Sequence, residues 1–409
     1  MTDTLVSDDA IDFDPFAAEF HDDPHPIYRR LRDEAPVYHS SRYGFYALSR
    51  YADVAPGMKD FDNYSSARGI TLEQVLAPEP PEMRIPMIIM MDPPEHTRMR
   101  KLVNKVFTPR AIAELEPMIA ATVREFAERL DPARFDVVED FSTLFPIEVI
   151  TTMLGVPRED RQQLRAWLAA PLERAPGQME LSEEGKQAVI ESTVYYAKLI
   201  AERRAHPRDD MISRLIEVEV DREDGTATRL TDREILGFAA LLAGAGAETV
   251  AKVLGIAAVV FADHPDQWQA MRADRSLIPG AFEELLRYDG PVQYDVRYSQ
   301  RDITLHDRTI PAQSPVLMLL ASATRDPRTF PGADRFDITR PFTGNNLGFG
   351  YGIHRCLGAA LARLEGRIAL DAMLELMPEY ELDRPGLRRA RVTSVGGWTH
   401  VPVRVHRPH

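Results

Sequence analysis

The stretch from Ile235 to Ala262 is apolar almost throughout and is long enough to cross a bilayer. Glu248, Thr249 and Lys252 lie in its middle, where charges are costly in lipid. The run is therefore read as one long helix buried within a large α-rich protein. Apolar residues make up 44% of the chain, enough for a large core around such a helix. Two glycines, Gly244 and Gly246, interrupt the run. Each costs about 1 kcal/mol relative to alanine in a helix interior. They permit a local distortion or close approach of a flat ligand, or simply tight helix packing. Glu248 and Thr249 then place a carboxyl and a hydroxyl in apolar surroundings, unless Thr249 bonds back to its own helix.

Cys356 is the only cysteine, so an internal disulfide and a multi-cysteine metal site are both excluded. It lies in Phe349-Gly350-Tyr351-Gly352-Ile353-His354-Arg355-Cys356-Leu357-Gly358. A lone cysteine is commonly a small buried hydrophobe. Here glycines let backbone pass close to something large and flat, and His354 and Arg355 add positive charge that favours the thiolate. One thiolate in that setting suits an axial haem ligand. The Gly-x-Gly is a poor dinucleotide loop, because Arg355 replaces the third glycine and no strand-like run leads into it.

Read whole, Phe-Gly-x-Gly-x-His-x-Cys-x-Gly closely resembles the haem-binding loop of the cytochrome P450 superfamily, soluble bacterial type. The resemblance runs from Asp23 to the C-terminal strands, with motifs in family order. It implies a mainly α fold with a minor β portion, residues 1–409 forming one domain with the haem between the long central helix and the Cys-loop helix. Cys356 would be the axial ligand of haem b, with Phe349, Gly350 and Gly246 beside the cofactor. Ala243–Thr249 resembles the oxygen-activation stretch, where Glu248 and Thr249 would organise water and deliver protons. His96 and Arg100, four apart and so on one helix face, would bind the haem propionates with Arg297 and His354. Glu284 and Arg287 face the same helix side. With Arg335 they would form a buried charge cluster supporting the haem loop.

The implied activity is insertion of one oxygen atom of O2 into a C–H bond, or epoxidation. Electrons would come from NAD(P)H through a ferredoxin and its reductase, since the chain carries no recognisable flavin or ferredoxin module. A noncatalytic haem-thiolate sensor or carrier would not need Glu248–Thr249, and peroxide-driven relatives commonly alter that pair. Lys101, Lys105, Arg110, Arg355 and Arg363 form a positive cluster suited to an acidic ferredoxin.

The net charge of −14 makes nonspecific nucleic-acid binding a poor reading. Met1 to Asp14 is acidic and lacks the basic and apolar regions of a secretory leader. Together with the single cysteine this leads us to expect a cytoplasmic monomer with no membrane anchor.

Along the chain, Val37 to Leu48 is predicted as a hairpin around Gly44, and Tyr51 to Asp60 as a helix. Asn63 to Met91 is predicted as a long irregular connection. Helices follow from Glu95 to Ala262, then at Asp266–Asp274, Ser276–Tyr288 and Ala359–Leu376. Strands are expected at Val296–Ser299, Ile303–Leu305 and Val316–Leu320, with a terminal hairpin over Val392–Val405. The long connection carries Ile70, Leu72, Val75, Leu76, Met83, Ile85, Met87, Ile88 and Ile89, with no Phe, Tyr or Trp between Tyr64 and Phe107. Ile85, Ile88 and Ile89, with Ala243, Ala247, Val292 and Val395, are the expected substrate wall. An aliphatic wall suits a lipid-like, terpenoid or steroid substrate, with Arg68 or Arg84 as a polar anchor. A macrolide, another polyketide or a xenobiotic is the alternative.

Overall fold

The computed structural model describes residues 11–76, 84–172, 180–221, 226–341, 346–391 and 394–406. Its axis is a single helix, Asp232–Asp263. A capping box starts it: Thr231 accepts from the Glu234 N–H, and Glu234 reaches back to the Thr231 N–H. It ends at His264, where Pro265 begins the next helix, Pro265–Ala273. This is the one helix among the described residues long and apolar enough to cross a membrane, and it lies mostly inside the protein.

Helices Phe145–Leu154, Glu183–Ala205 and Ala359–Leu376 pack around it. A π-helical turn, Val137–Ser142, also rests on it. There the Ser142 hydroxyl donates to the Ala251 carbonyl at 3.1 Å. A Cβ at Gly255 would stand 2.7 Å from Val138, so that glycine is set by close helix packing.

The β portion draws on distant parts of the chain. Its five-stranded sheet has the order Val37–Ser40, Phe45–Leu48, Pro315–Met318, Asp295–Ser299, Tyr64–Ser65. The first two strands form the predicted hairpin, with Gly44 left-handed at its turn. Pro315–Met318 adds parallel to Phe45–Leu48, and the remaining pairs are antiparallel. Leu320 belongs to a short helix, Leu320–Ala323, so the predicted strand ends two residues early. Asn63–Met91 is less irregular than expected: it contributes the edge strand Tyr64–Ser65, a helical turn at Leu72–Leu76 and a 3₁₀ turn at Ile88–Met90.

The C-terminal hairpin is shifted from the expected Val392–Val405: its arms are Arg388–Arg389 and Trp398–His400. Trp398–His400 pairs with Arg388–Arg389, whereas Pro402–His406 pairs with Glu379–Leu382 and with Arg134–Asp136. The alternating pattern is genuinely β, but the last strand leaves the hairpin to join Glu379–Leu382 and the distant Arg134–Asp136. Val392 lies outside the described residues.

Candidate functional site

The cysteine loop is anchored before it reaches the sulfur. Asn346 donates to the Glu283 carbonyl at 2.9 Å, and its own side-chain oxygen accepts from the Gly348 N–H at 2.9 Å. A Cβ at Gly348 would meet Leu286 at 2.9 Å, so the loop lies flat on helix Ile278–Asp289. Gly350 and Gly352 have φ of 66° and 70°, which favours glycine. At Gly352 a Cβ would also sit 2.5 Å from the Met58 carbonyl oxygen. The close approach there is thus to protein backbone rather than to a flat ligand. The Cys356 N–H donates to the Phe349 carbonyl at 2.8 Å, closing the loop. Helix Ala359–Leu376, bounded as expected, leaves immediately afterwards and packs on the central helix.

Cys356 is solvent-accessible on one side, yet enough protein surrounds its sulfur that burial pushes the thiol's pKa up. The Gly358 N–H and the charges of Arg100, Arg363 and Arg355 oppose that shift. His354 does not supply the expected positive charge: burial, Arg297, His96 and Arg100 lower its pKa to about 3, so its ring is neutral.

The structure brings His96, Arg100, Arg297 and His354 together. The rings of His96 and His354 meet edge-to-face with centroids 4.5 Å apart. The His354 ring faces the Met91 carbonyl, which partly offsets the lowering of its pKa. Arg100 donates to the Arg355 carbonyl at 2.8 Å. Arg297 is buried and reaches Asp295 at 3.6 Å. His96 Nε2 and His354 Nε2 are buried without a partner among the described residues. Such atoms call for a polar group, and two guanidiniums beside them select an anionic one. Together with the accessible single thiol, this donor set fits iron protoporphyrin and its two carboxylates.

The central helix is buried on both sides of its middle but not at its middle. Ala245 is exposed, and no described residue stands within 4 Å of a Cβ built at Gly244. The Thr249 hydroxyl donates to the Ala245 carbonyl at 3.0 Å. Glu248 is held above the usual carboxylate range by burial, with Lys252 one turn on pulling the other way. Lys252, marked in the sequence only as a charge within the apolar run, is itself buried and donates to the Trp398 carbonyl at 3.2 Å.

Gly246 does not face the open side. A Cβ there would meet Ile150 of helix Phe145–Leu154 at 3.3 Å. It is a packing glycine, and Gly244 is the open one.

Of the expected substrate wall, Ala243 is fully covered and belongs to the main core, as does the 6% exposed Ile88. Ile85, Ile89, Ala247, Val292 and Val395 are half-buried. Val292 and Val395 are joined by an isolated antiparallel bridge. Met83 lies outside the described residues. Arg68 stacks on Tyr298 and donates to its hydroxyl at 2.9 Å, and Arg84 donates to the Ala67 carbonyl at 3.1 Å.

The buried charge cluster has a different third member from the one expected. Glu284 and Arg287 form a two-pronged pair at 2.7 and 2.8 Å, each side chain 3% exposed. Arg287 also donates to the carbonyls of Thr324, Ala333 and Arg335. The Arg335 side chain is 75% exposed and pairs with Asp337 instead. Arg340 is the cation that joins Glu284, at 3.2 Å and 15% exposed. Arg335 contributes only its carbonyl, because the loop turns its side chain outward. Nothing in the local sequence distinguishes the two arginines.

The positive cluster is also partly committed. Arg363 pairs with Glu283 and stacks on Phe349, and Arg110 pairs with Glu114. Lys101, Lys105 and Arg355 are exposed.

Comparison with known proteins agrees with this geometry. A sequence model of the family Cytochrome P450 matches residues 160–378. The putative cytochrome P450 123 of Mycobacterium tuberculosis is 40% identical over 401 residues, covering 98% of both chains. The vitamin D(3) 25-hydroxylase of Pseudonocardia autotrophica is 38% identical, covering 95% of this chain and 96% of that one. Cytochrome P450 CYP109Q5 from Chondromyces apiculatus superposes with a TM-score of 0.86 at 34% identity, covering 97% of this chain and 99% of that chain. The chain belongs to the cytochrome P450 family of haem-containing monooxygenases.

Proposed function

We propose that this monooxygenase hydroxylates or epoxidises a lipid-like, terpenoid or steroid substrate held against the open middle of the central helix. Cys356 would ligate the haem iron, and His96, Arg100, Arg297 and His354 would hold its propionates. When bound, the thiolate-ligated haem supplies oxygen activation.

The chain's own residues govern protons and water. The Thr249 hydroxyl spends its proton on the Ala245 carbonyl, which leaves its oxygen to accept from a water on the open face. Glu248, its pKa raised by burial, keeps a proton to higher pH than a free carboxyl does. That suits it to hand a proton on. Lys252 limits how far that shift goes.

The observation that carries the substrate reading is the half-buried aliphatic segment that crosses the central helix at Gly237, two turns before its open middle: Ile85, Met87 and Ile89, with no Phe, Tyr or Trp between Tyr64 and Phe107. Similar proteins include the vitamin D(3) 25-hydroxylase and a Bacillus megaterium P450 solved with testosterone. They also include PikC and an EryK variant solved with erythromycin B. Spectral titration against fatty acids, terpenoids, steroids and macrolides separates these. The expected result is a saturable shift of the haem spectrum on adding a steroid, terpenoid or fatty acid. Binding confined to macrolides would overturn the reading.

For electron supply we propose a ferredoxin with an NAD(P)H-dependent reductase, docking over Lys101, Lys105 and Arg355. Arg363 is a poor probe because its loss breaks the Glu283 pair. Lys105→Glu should slow ferredoxin-driven reduction at low ionic strength and leave dithionite reduction unchanged. An unchanged ferredoxin-driven rate would remove the patch from docking.

A further inference from the structure

Gly237 lies buried near the start of the central helix, where the backbone of another segment runs directly across it. A Cβ at this position would stand 2.1 Å from the Pro86 carbonyl oxygen and 3.0 Å from Ile85 Cγ2. The residues from Arg84 to Met91 therefore form a strap seated on bare helix backbone. Arg233, one turn earlier, donates to the Arg84 carbonyl at 2.7 Å. Arg84 in turn donates to the Ala67 carbonyl at 3.1 Å. Beyond the far end of the strap, Asp92 accepts from the Ser65 hydroxyl and, at 3.0 Å, from the Ser66 N–H. Arg98, on the helix that follows the strap, braces the same start of the central helix through Glu234 at 2.5 Å.

Helix geometry gives this seat a consequence. Gly237 and Gly244 are seven residues apart, about two turns and roughly 10 Å along one face. The strap thus crosses the face that, two turns later, opens at Gly244 and Ala245. Its height over that face is set where it touches Gly237, because a carbonyl oxygen cannot share space with a methyl group. Ile85, Met87 and Ile89, among the half-buried apolar side chains of the strap, move with its backbone.

We propose that Gly237 is a specificity-determining position: the missing side chain seats the Arg84–Met91 strap low over the open face and limits the cross-section of the substrate admitted. Arg233 is the positioning residue that latches the strap there. This rests on the reading that substrate lies against the open middle of the helix.

A methyl group at 237 must displace the Pro86 carbonyl by roughly 1 Å or more to restore ordinary contact. Narrow ligands should then lose grip, while broad ones gain room. The test uses the holoenzyme and three azoles whose nitrogen ligates the iron: imidazole, 1-dodecylimidazole and clotrimazole. In Gly237→Ala, imidazole affinity should stay within twofold. The ratio of the 1-dodecylimidazole Kd to the clotrimazole Kd should rise at least fivefold. Arg233→Gln keeps the glycine and removes the latch. It should move the ratio in the same direction, so that a folding failure of Gly237→Ala leaves the proposal testable.

An unchanged ratio in Arg233→Gln, or a lowered melting temperature with an unchanged ratio in Gly237→Ala, would overturn the proposal. Since the azoles report size through iron ligation, this outcome is independent of the lipid and macrolide titration. That titration can fail while strap-dependent size selection holds.

Discussion

The two faces of the site are built in opposite ways. On the cysteine face, nearly every constraint is protein against protein: Gly348 on Leu286, Gly352 on the Met58 carbonyl, and the Cys356 N–H on the Phe349 carbonyl. On the opposite face the central helix exposes Ala245 and leaves room beyond Gly244, and half-buried aliphatic side chains lie on the strap nearby. The first arrangement tolerates little change and presents one sulfur in one place. The second leaves surface for something else to cover. In this account the cysteine face fixes what chemistry is done, and the strap face selects the molecule on which it is done.

If that division is right, substitutions on the cysteine face should remove function outright. Cys356→Ser has the largest expected effect. No other cysteine can substitute, and an alcohol is a far weaker anionic ligand at neutral pH. Monooxygenase activity should fall to background, as measured by product formation with any substrate that wild type accepts.

Next in size is Glu284→Gln. It weakens a buried carboxylate shared by Arg287, Arg340 and the Asp337 N–H. Breaking a buried pair costs about 3–5 kcal/mol, and the cysteine loop rests on the same helix. Denaturant unfolding should show that loss together with reduced haem content. Arg335→Ala, by contrast, should stay within about 0.5 kcal/mol because its side chain is at the surface. An equal loss in both variants would restore Arg335 to the cluster.

Thr249→Ala tests the helix face. Haem and ligand binding should survive, since the hydroxyl bonds only its own helix among the described residues. Positioned proton transfer contributes typically ~10²-fold or more, so product formed per NADPH should drop by about tenfold as electrons divert to hydrogen peroxide. Unchanged coupling would remove Thr249 from proton handling.

The smallest effect concerns Glu365, on the cysteine helix. It is fully buried, its Oε2 has no partner among the described residues, and burial holds its carboxyl well above the usual range. A carboxyl whose folded pKa is raised binds more protons folded than unfolded. Stability therefore falls as pH rises above the ordinary carboxylate pKa, about 4.3, towards the folded value. Glu365→Gln removes that dependence. Its melting temperature should exceed that of wild type by a few degrees at pH 7 and by less at pH 4.5. An equal difference at both values would mean that Glu365 is charged when folded.

The long elements were legible in the sequence because their signals are local. The central helix was predicted to span Ile235–Ala262 and runs Asp232–Asp263, and the cysteine helix has the predicted bounds. The terminal strands were legible as strands but not as partners, because pairing with Arg134–Asp136 and Glu379–Leu382 is set by tertiary packing. At the site, the residue types in the cysteine loop and the two histidines could be read directly. Which glycine faces helix and which faces open space could not, since Gly244 and Gly246 differ only by a rotation of two residues. The same holds for Arg335 and Arg340, whose roles depend on which way one loop turns. The residue type of His354 suggests a cation, whereas burial first, and then its neighbours Arg297, His96 and Arg100, hold it neutral.

The central claim is that the cysteine face supplies a single thiolate to haem iron. The most direct measurement is the absorption spectrum of the reduced wild-type holoprotein under carbon monoxide. The account predicts the strongly red-shifted Soret band of thiolate-ligated haem, absent from Cys356→Ser. A wild-type band at the position typical of histidine ligation would contradict it.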